Sequence, residues 1–266
     1  MAWLPRVQWF EFHEQHWMPS SLRHAITRSI TFDMWFLGCF RGELLRRFAR
    51  WLERTGADQV LDIGSGAGGP VLALVRGLLR DGIEPPRFFL SDLYPDVGRY
   101  AAVSDRTPVW GEGDSRFVSF VHDPVDALAE PLAVDQRFFT LVNITHHFPP
   151  ALLKRILGNL VRQGRGVFII ESFYRSLRFF PLMVASLLPS WLAPLMLRPF
   201  SWPHLVFGTV VPLVPLLMAH DGLATVLRSY NPDEWRALVA ELPAEGYEWE
   251  IDRMRTGTVY VAGWRR

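Results

Sequence analysis

Cysteine is almost absent: Cys39 stands alone in 266 residues, so no internal disulfide can form and a fold held by cross-links is excluded. There is also no basic excess. Lys and Arg together number 28 against 27 Asp and Glu, without the electrostatic footprint of a nucleic-acid binder, and no DNA or RNA partner is expected. The charged, aromatic N-terminal stretch lacks the apolar core and cleavage site of a secretory signal, so a cytoplasmic location is expected. From Phe179 to His220 neither an acid nor a lysine occurs. What is abundant is apolar surface, with 49% hydrophobic and 14% aromatic residues and 11 Trp, concentrated in two regions. The length suits one elaborated α/β domain with a continuous core.

The most informative stretch runs from Gln59 to Pro70, Gln-Val-Leu-Asp-Ile-Gly-Ser-Gly-Ala-Gly-Gly-Pro. Val60, Leu61 and Ile63 suit a strand covered on both faces, while Gly64, Gly66 and Gly68 permit positive φ and leave no Cβ between backbone and ligand. Val71, Leu72, Leu74, Val75, Leu78 and Leu79 follow at helical spacing. The loop is therefore expected at a helix N-terminus, where free N–H groups face a bound ligand.

Two cofactors compete for such a loop, because Gly64, Gly66 and Gly69 also satisfy the spacing of a dinucleotide fingerprint. Asp62 separates them. A carboxylate beside the turn repels a pyrophosphate, whereas S-adenosylmethionine has no phosphate and carries an ammonium and a sulfonium. With Ser65 inside it, the stretch resembles the first motif of class I S-adenosylmethionine-dependent methyltransferases, an acid followed by Gly-x-Gly-x-Gly. Gly-Ala-Gly-Gly-Pro, Ser-Asp-Leu-Tyr-Pro and His-His-Phe-Pro-Pro together are similar to a bacterial group of such enzymes. The resemblance covers roughly Gln59 to Ile170 and the C-terminal end. It implies a Rossmann-like seven-stranded, mostly parallel sheet with helices on both faces and an N-terminal helical cap; the apolar helical insert read after strand five is an addition that the minimal fold does not require.

Further candidates sit at strand tips. Arg87 to Leu90 reads as a strand ending in Ser91-Asp92-Leu93-Tyr94-Pro95, where Asp92 is the ribose candidate with Leu93 beside it against the cofactor; a helix cap before Pro95 is the alternative. After a strand at Phe117 to Val121, the resemblance places Asp123 near the adenine amino group, with the loop from Val103 to Ser115 intervening. A fourth strand, Phe138 to Val142, leads to Asn143-Ile144-Thr145-His146-His147, beside the crevice where open α/β sheets bind ligands. Asn143 can bond the cofactor, and His146 or His147 can take a proton from a hydroxyl, one of the pair being structural. A fifth strand, Gly166 to Ile170, ends at Glu171, which would orient a histidine, bind the acceptor, or pair with Arg175 or Arg178. No metal site is expected.

At the N-terminus, Trp9, Phe10, Phe12 and Trp17 alternate with Glu11, His13, Glu14 and His16. Two readings stand: a cap whose polar groups face substrate, or a helix on the core with its polar face in water. A second helix is expected to end near Gly38, and Leu44, Leu45, Phe48, Trp51 and Leu52 form the stripe of another that stops at Gly56. The runs Phe179 to Leu197 and Pro199 to His220, separated by Arg198, are each long enough to cross a bilayer. Their prolines predict short broken helices instead, forming a lid or a patch in the membrane interface. Asn231-Pro232-Asp233-Glu234 begins a helix. Tyr247 to Ile251 and Thr258 to Trp264 read as a closing strand pair.

The expected organisation is one methyltransferase domain over 1–266: cap 1–57, cofactor core 58–174, insert 175–230, and a terminal helix with a strand pair, 231–266. The implied activity is methyl transfer from S-adenosylmethionine to an oxygen, nitrogen or carbon of a small lipophilic acceptor, with peripheral membrane contact through 179–220. Its rivals are a membrane-associated S-adenosylmethionine or S-adenosylhomocysteine binder without turnover, and a nicotinamide-dependent oxidoreductase.

Overall fold

A computed structural model describes residues 4–15, 17–36, 40–66, 68–95, 116–132, 137–197, 200–243 and 245–266. The expected helix end near Gly38, the loop Val103–Ser115 and Arg198 lie outside the described residues. The strands are β1 (Gln59–Ile63), β2 (Arg87–Ser91), β3 (Val118–Phe120), β4 (Phe138–Val142), β5 (Gly166–Glu171), β6 (Tyr247–Arg253) and β7 (Val259–Arg265). They form one sheet in the order β3-β2-β1-β4-β5-β7-β6. β7 runs antiparallel between β5 and β6, and the other pairings are parallel. The order reverses between β1 and β4, which opens a crevice at the carboxyl ends of those strands.

Strand alternation builds two cores. On one side Val60, Phe88, Phe168 and Ile170 pack under α2 (Glu43–Thr55) and α3 (Gly69–Arg80), and α2 stops at Gly56 with φ 66°. On the other, Leu61, Phe139, Leu141, Val167 and Ile169 pack under α4 (Pro150–Gln163). This double coverage explains the nearly continuous apolar character of the central strands.

Before α1 (Ser20–Phe36), the chain from 4 to 11 runs without helix and makes a single 3-10 turn, Phe12–Glu14. The helix with its polar face in water is therefore corrected. Glu11 is 1% exposed and carries its carboxylate inward, where Thr225 and Arg228 hold it. Met18, Ala25 and Ile26 tie this region to α8 (Leu213–Arg228) through Val214 and Met218.

The insert comprises α5 (Phe180–Ala185), α6 (Leu187–Met196), the short α7 (Trp202–Leu205) with a π turn at Val206–Val210, and α8. The prolines interrupt it less than their number suggests. Pro181, Pro189 and Pro215 occupy first turns, where a missing N–H breaks no bond. Ser186 keeps helical geometry between α5 and α6. By length and composition Leu177–Met196 could cross a membrane, and 28% of its most apolar window is buried; Trp202–Val210 with Leu213–Arg228 passes the same test only as a pair bent by 74°. The capping box of α9 (Pro232–Ala240) forms as the sequence implies, Glu234 accepting from the Asn231 N–H at 2.8 Å.

Candidate active site

The glycine loop joins β1 to α3, and its glycines differ in what they require. Gly64 and Gly68 have φ of 70° and 76°, and a Cβ would lie 2.8 Å from Ile144 Cγ1 and 2.5 Å from Leu90 Cδ1 respectively. Gly66 has φ of 53°, yet a Cβ there would meet nothing within 4 Å. The first two are needed by the protein. Gly66 instead leaves backbone open to the crevice.

Asp62 holds the loop from beneath. It is 1% exposed, accepting from Ser65 Oγ at 2.6 Å on one oxygen and from Thr140 Oγ1 at 2.7 Å on the other. Burial pushes its carboxyl up to about 7 against those two hydrogen bonds. Ser65 also receives the Ser91 N–H at 3.1 Å, so its hydroxyl is engaged within the loop. Asp62 and Ser65 thus set the loop's shape from inside. Asp92, at the end of β2, accepts from Gly66 N at 2.9 Å and from Tyr94 N at 2.9 Å. Leu93 and Tyr94 beside it are 45% and 83% exposed, an open apolar edge beside the loop. Asp123 is exposed beyond β3.

These residues fit an S-adenosyl ligand. An open glycine backbone, a carboxylate at the end of β2 and an exposed leucine are present together. The Asp92 carboxylate beside the loop opposes a pyrophosphate.

The tips of β4 and β5 form the second half. Asn143 adopts φ 54°, and its Oδ1 accepts the Ser172 N–H at 2.8 Å, bridging the two strand ends. Glu171 is 1% exposed and receives Thr145 N at 2.7 Å, Thr145 Oγ1 at 2.5 Å and His146 Nδ1 at 2.8 Å. It orients a histidine rather than pairing with arginine. Arg175 instead bonds Glu234 and the Ser229 carbonyl, each at 2.6 Å, while Arg178 lies over the Tyr174 and Phe179 rings. Arg6 clamps the same loop, donating to the carbonyls of His146 and Phe148, each at 3.1 Å.

The two histidines stand 4.1 Å apart, centroid to centroid, in different electrostatic states. Burial pulls His146 down, but the charge and hydrogen bond of Glu171, with Glu11 beyond, outweigh it and hold the ring above its usual pKa. Burial likewise pulls His147 down, and the neighbouring charge of His146 adds to this, so His147 stays below its usual value despite its hydrogen bond to Glu14. Between Glu171 at 2.8 Å and Glu11 at 3.8 Å, His146 favours its charged form more than an ordinary imidazole does. His147 favours its neutral form, and the tautomer that donates Nδ1–H to Glu14 leaves Nε2 as the acceptor nitrogen. Arg228 fixes Glu14 in turn, at 3.0 and 3.1 Å.

A cavity of about 210 Å³ lies over these groups, and Pro70, Asn143, His146 and His147 all line it. It therefore reaches the start of α3 as well as the tip of β4. Glu11 and His13 close it from the N-terminal segment, and Asp221 from α8 receives His13 Nδ1 at 3.0 Å. Glu11, His13 and His147 each place a potential metal-ligand atom within 4.8 Å of the others; Arg228 stands 3.2 Å from Glu11 and supplies a cation there already. The sequence had suggested that acids and imidazoles of the N-terminal stretch face substrate, but Asp221 and Asp33, which also line the cavity, were not foreseen. A lone acid in the apolar surroundings of α1 was the available sign for Asp33.

No protein-family model matches this sequence, and no curated protein sequence matches it. Solved structures do. A candidate O-methyltransferase from Nostoc punctiforme aligns over 98% of this chain at 13% identity with a TM-score of 0.51. The O-methyltransferase of neocarzinostatin biosynthesis, solved with S-adenosylmethionine and 2-hydroxy-5-methyl naphthoic acid, aligns over 93% at 13% identity, also with 0.51. The chain has the class I methyltransferase fold. Human N-acetylserotonin methyltransferase, solved with S-adenosylmethionine, shares this fold over 92% of the chain at 12% identity and a TM-score of 0.50. The chain spans 64%, 59% and 55% of these three neighbours' lengths. Within this methyltransferase fold, the glycine loop and the β4 tip flank the switch in strand order.

Proposed function

We propose that the protein transfers the methyl group of S-adenosylmethionine to a hydroxyl of a small, largely apolar acceptor, with His147 as the base. The observation that carries this reading is the shared cavity: Pro70, which follows the glycine loop at the start of α3, lines the same space as His147, whose Nδ1 is held by Glu14. Asp92 would hold the ribose, Leu93 the adenine edge, and Gly66 would let the ligand approach the backbone. When bound, the cofactor supplies a methyl group on a cationic sulfur, open to in-line attack. His147 Nε2 takes the acceptor proton as oxygen accepts the methyl group, and the Glu14 carboxylate, held in place by Arg228, balances the positive charge that forms on the ring. The cap residues Glu11 and His13 and the insert helices exclude water above.

The apolar acceptor follows from the apolar side chains of the cavity, Ile30, Phe173, Met183 and Met218, which line it together with the histidines. We place the insert against a lipid surface that holds such acceptors. Of the twenty large hydrophobic side chains exposed among the described residues, fourteen lie between Leu177 and Leu216, including Trp191 and Trp202.

The test is transfer of label from methyl-labelled S-adenosylmethionine into extractable product, screened over a lipid extract and a set of phenols. The wild type should give product. His147→Ala should lose about a hundredfold or more in turnover while binding S-adenosylhomocysteine as before, and His146→Ala should chiefly lower stability. Full turnover in His147→Ala would remove the base from this reading. Retained S-adenosylhomocysteine binding without transfer to any acceptor would favour a binding protein.

A further inference from the structure

Asp33 on α1 lines the cavity and is 6% exposed, on the wall built by α1 and Ser186 rather than the strand-tip wall that carries His147. One carboxyl oxygen, Oδ2, lies 2.6 Å from Ser190 Oγ. The other, Oδ1, is buried and has no hydrogen-bond partner among the described residues. A buried acceptor left unpaired is costly, and such atoms are uncommon unless a ligand completes them.

The Ser190 hydroxyl decides which form of Asp33 is present. Its oxygen also lies 2.7 Å from the Ser186 carbonyl, and that carbonyl can only accept. A hydroxyl has one proton. Once it is donated to Ser186, the short contact with Oδ2 is satisfied by a proton on Asp33 itself. Burial acts in the same direction, pushing the carboxyl up to about 7. Asp33 then carries Oδ1 as a neutral carbonyl-type acceptor in a cavity wall that Ile30, Met183 and Met218 also line.

Building on the proposed methyl transfer, we infer that Asp33 orients the acceptor by receiving, on Oδ1, a hydrogen bond from a second O–H or N–H group of that molecule. Preferred acceptors then carry two polar groups on an apolar skeleton: the hydroxyl presented to His147 and a neutral donor on the α1 side. An acceptor lacking the second group would leave Oδ1 unpaired, so discrimination should exceed what one lost contact in water implies. Asp33 is a specificity residue; it touches no reacting atom.

The experiment is calorimetric titration of the S-adenosylhomocysteine-loaded protein with 2,6-dihydroxynaphthalene, 6-amino-2-naphthol and 2-naphthol. The diol and the aminonaphthol should bind about tenfold or more tightly than 2-naphthol, as expected for one added buried hydrogen bond. Asp33→Asn should keep this preference, since an amide donates to Ser190 and still offers Oδ1. Asp33→Leu should abolish it while S-adenosylhomocysteine affinity stays unchanged, which also reports intact folding. Equal binding of the three probes to the wild type, no binding of any of them, or a preference that survives Asp33→Leu each overturns the role of Asp33. Loss of the preference in Asp33→Asn would overturn the neutral form. Failure of the wild type to bind S-adenosylhomocysteine at all would remove the methyl-transfer reading, and this inference with it.

Discussion

Asp62 links the loop's geometry to pH. Its carboxyl is ordinary in the unfolded chain and is pushed by burial up to about 7 in the fold. The folded state therefore holds a proton that the unfolded state releases, between the ordinary value of 3.8 and about 7. Its contribution is full below that window and is lost as pH rises through it. The melting temperature of the wild type should fall more steeply from pH 5 to pH 8 than that of Asp62→Asn; parallel curves would mean that Asp62 is ionised in the fold. His147 has the opposite sign. Burial and the charge of His146 keep it below its usual pKa, so it should be a competent base at neutral pH, with turnover falling only on the acid side, below about 6.5. Glu14→Gln removes the carboxylate that raises His147, and should move that acid limb lower while reducing the rate. A limb above pH 7 in the wild type would show a protonated ring and transfer the role elsewhere. At this scale the strand-tip residues were legible, because a strand, a turn and the next helix are local. Their partners were not. Glu14 meets His147 across 133 positions, and Asp221 meets the backbone of Phe12 across 209, contacts that no local spacing encodes.

Among the elements, the β1–α3 loop separates folding from binding. At Gly66 a side chain meets no protein atom, so Gly66→Val should cost only the strain of positive φ, about 1–2 kcal/mol, while removing S-adenosylhomocysteine binding. Gly68→Ala should unfold more readily, because it adds a 2.5 Å clash with Leu90 to the same kind of strain. Thermal melts with and without ligand distinguish the two; a Gly66→Val protein that still binds would place the cofactor elsewhere. The central strands were legible to within a residue or two, since runs such as Phe138–Val142 are apolar on both faces and bounded by polar tips. The N-terminal segment was not. Its acids and imidazoles resemble the polar face of a surface helix, and only the tertiary partners Asp221 and Arg228 show that they point inward. The insert was legible as a series of short helices, but not where each would break, because a proline's effect depends on whether it falls in a first turn.

Over the whole molecule, the sheet brings one half of the site from sequence-local motifs and the cap and insert bring the other. The apolar face of the insert should carry the protein to lipid. Wild type should co-sediment with anionic liposomes, and a variant with Leu188, Leu195 and Leu216 changed to Asp, each at least half exposed, should remain in the supernatant with unchanged ligand affinity. A wild type that stays monodisperse and unsedimented would restrict the insert to a lid. The central assignment rests on the crevice between β1 and β4, and the most direct measurement is titration of the purified protein with S-adenosylhomocysteine, beside a reduced nicotinamide, in wild type and Asp92→Ala. Saturable binding of S-adenosylhomocysteine alone is expected, weakened at least about tenfold in Asp92→Ala by loss of charge-assisted hydrogen bonds to the ribose. Binding of the nicotinamide, with none of S-adenosylhomocysteine, would contradict it.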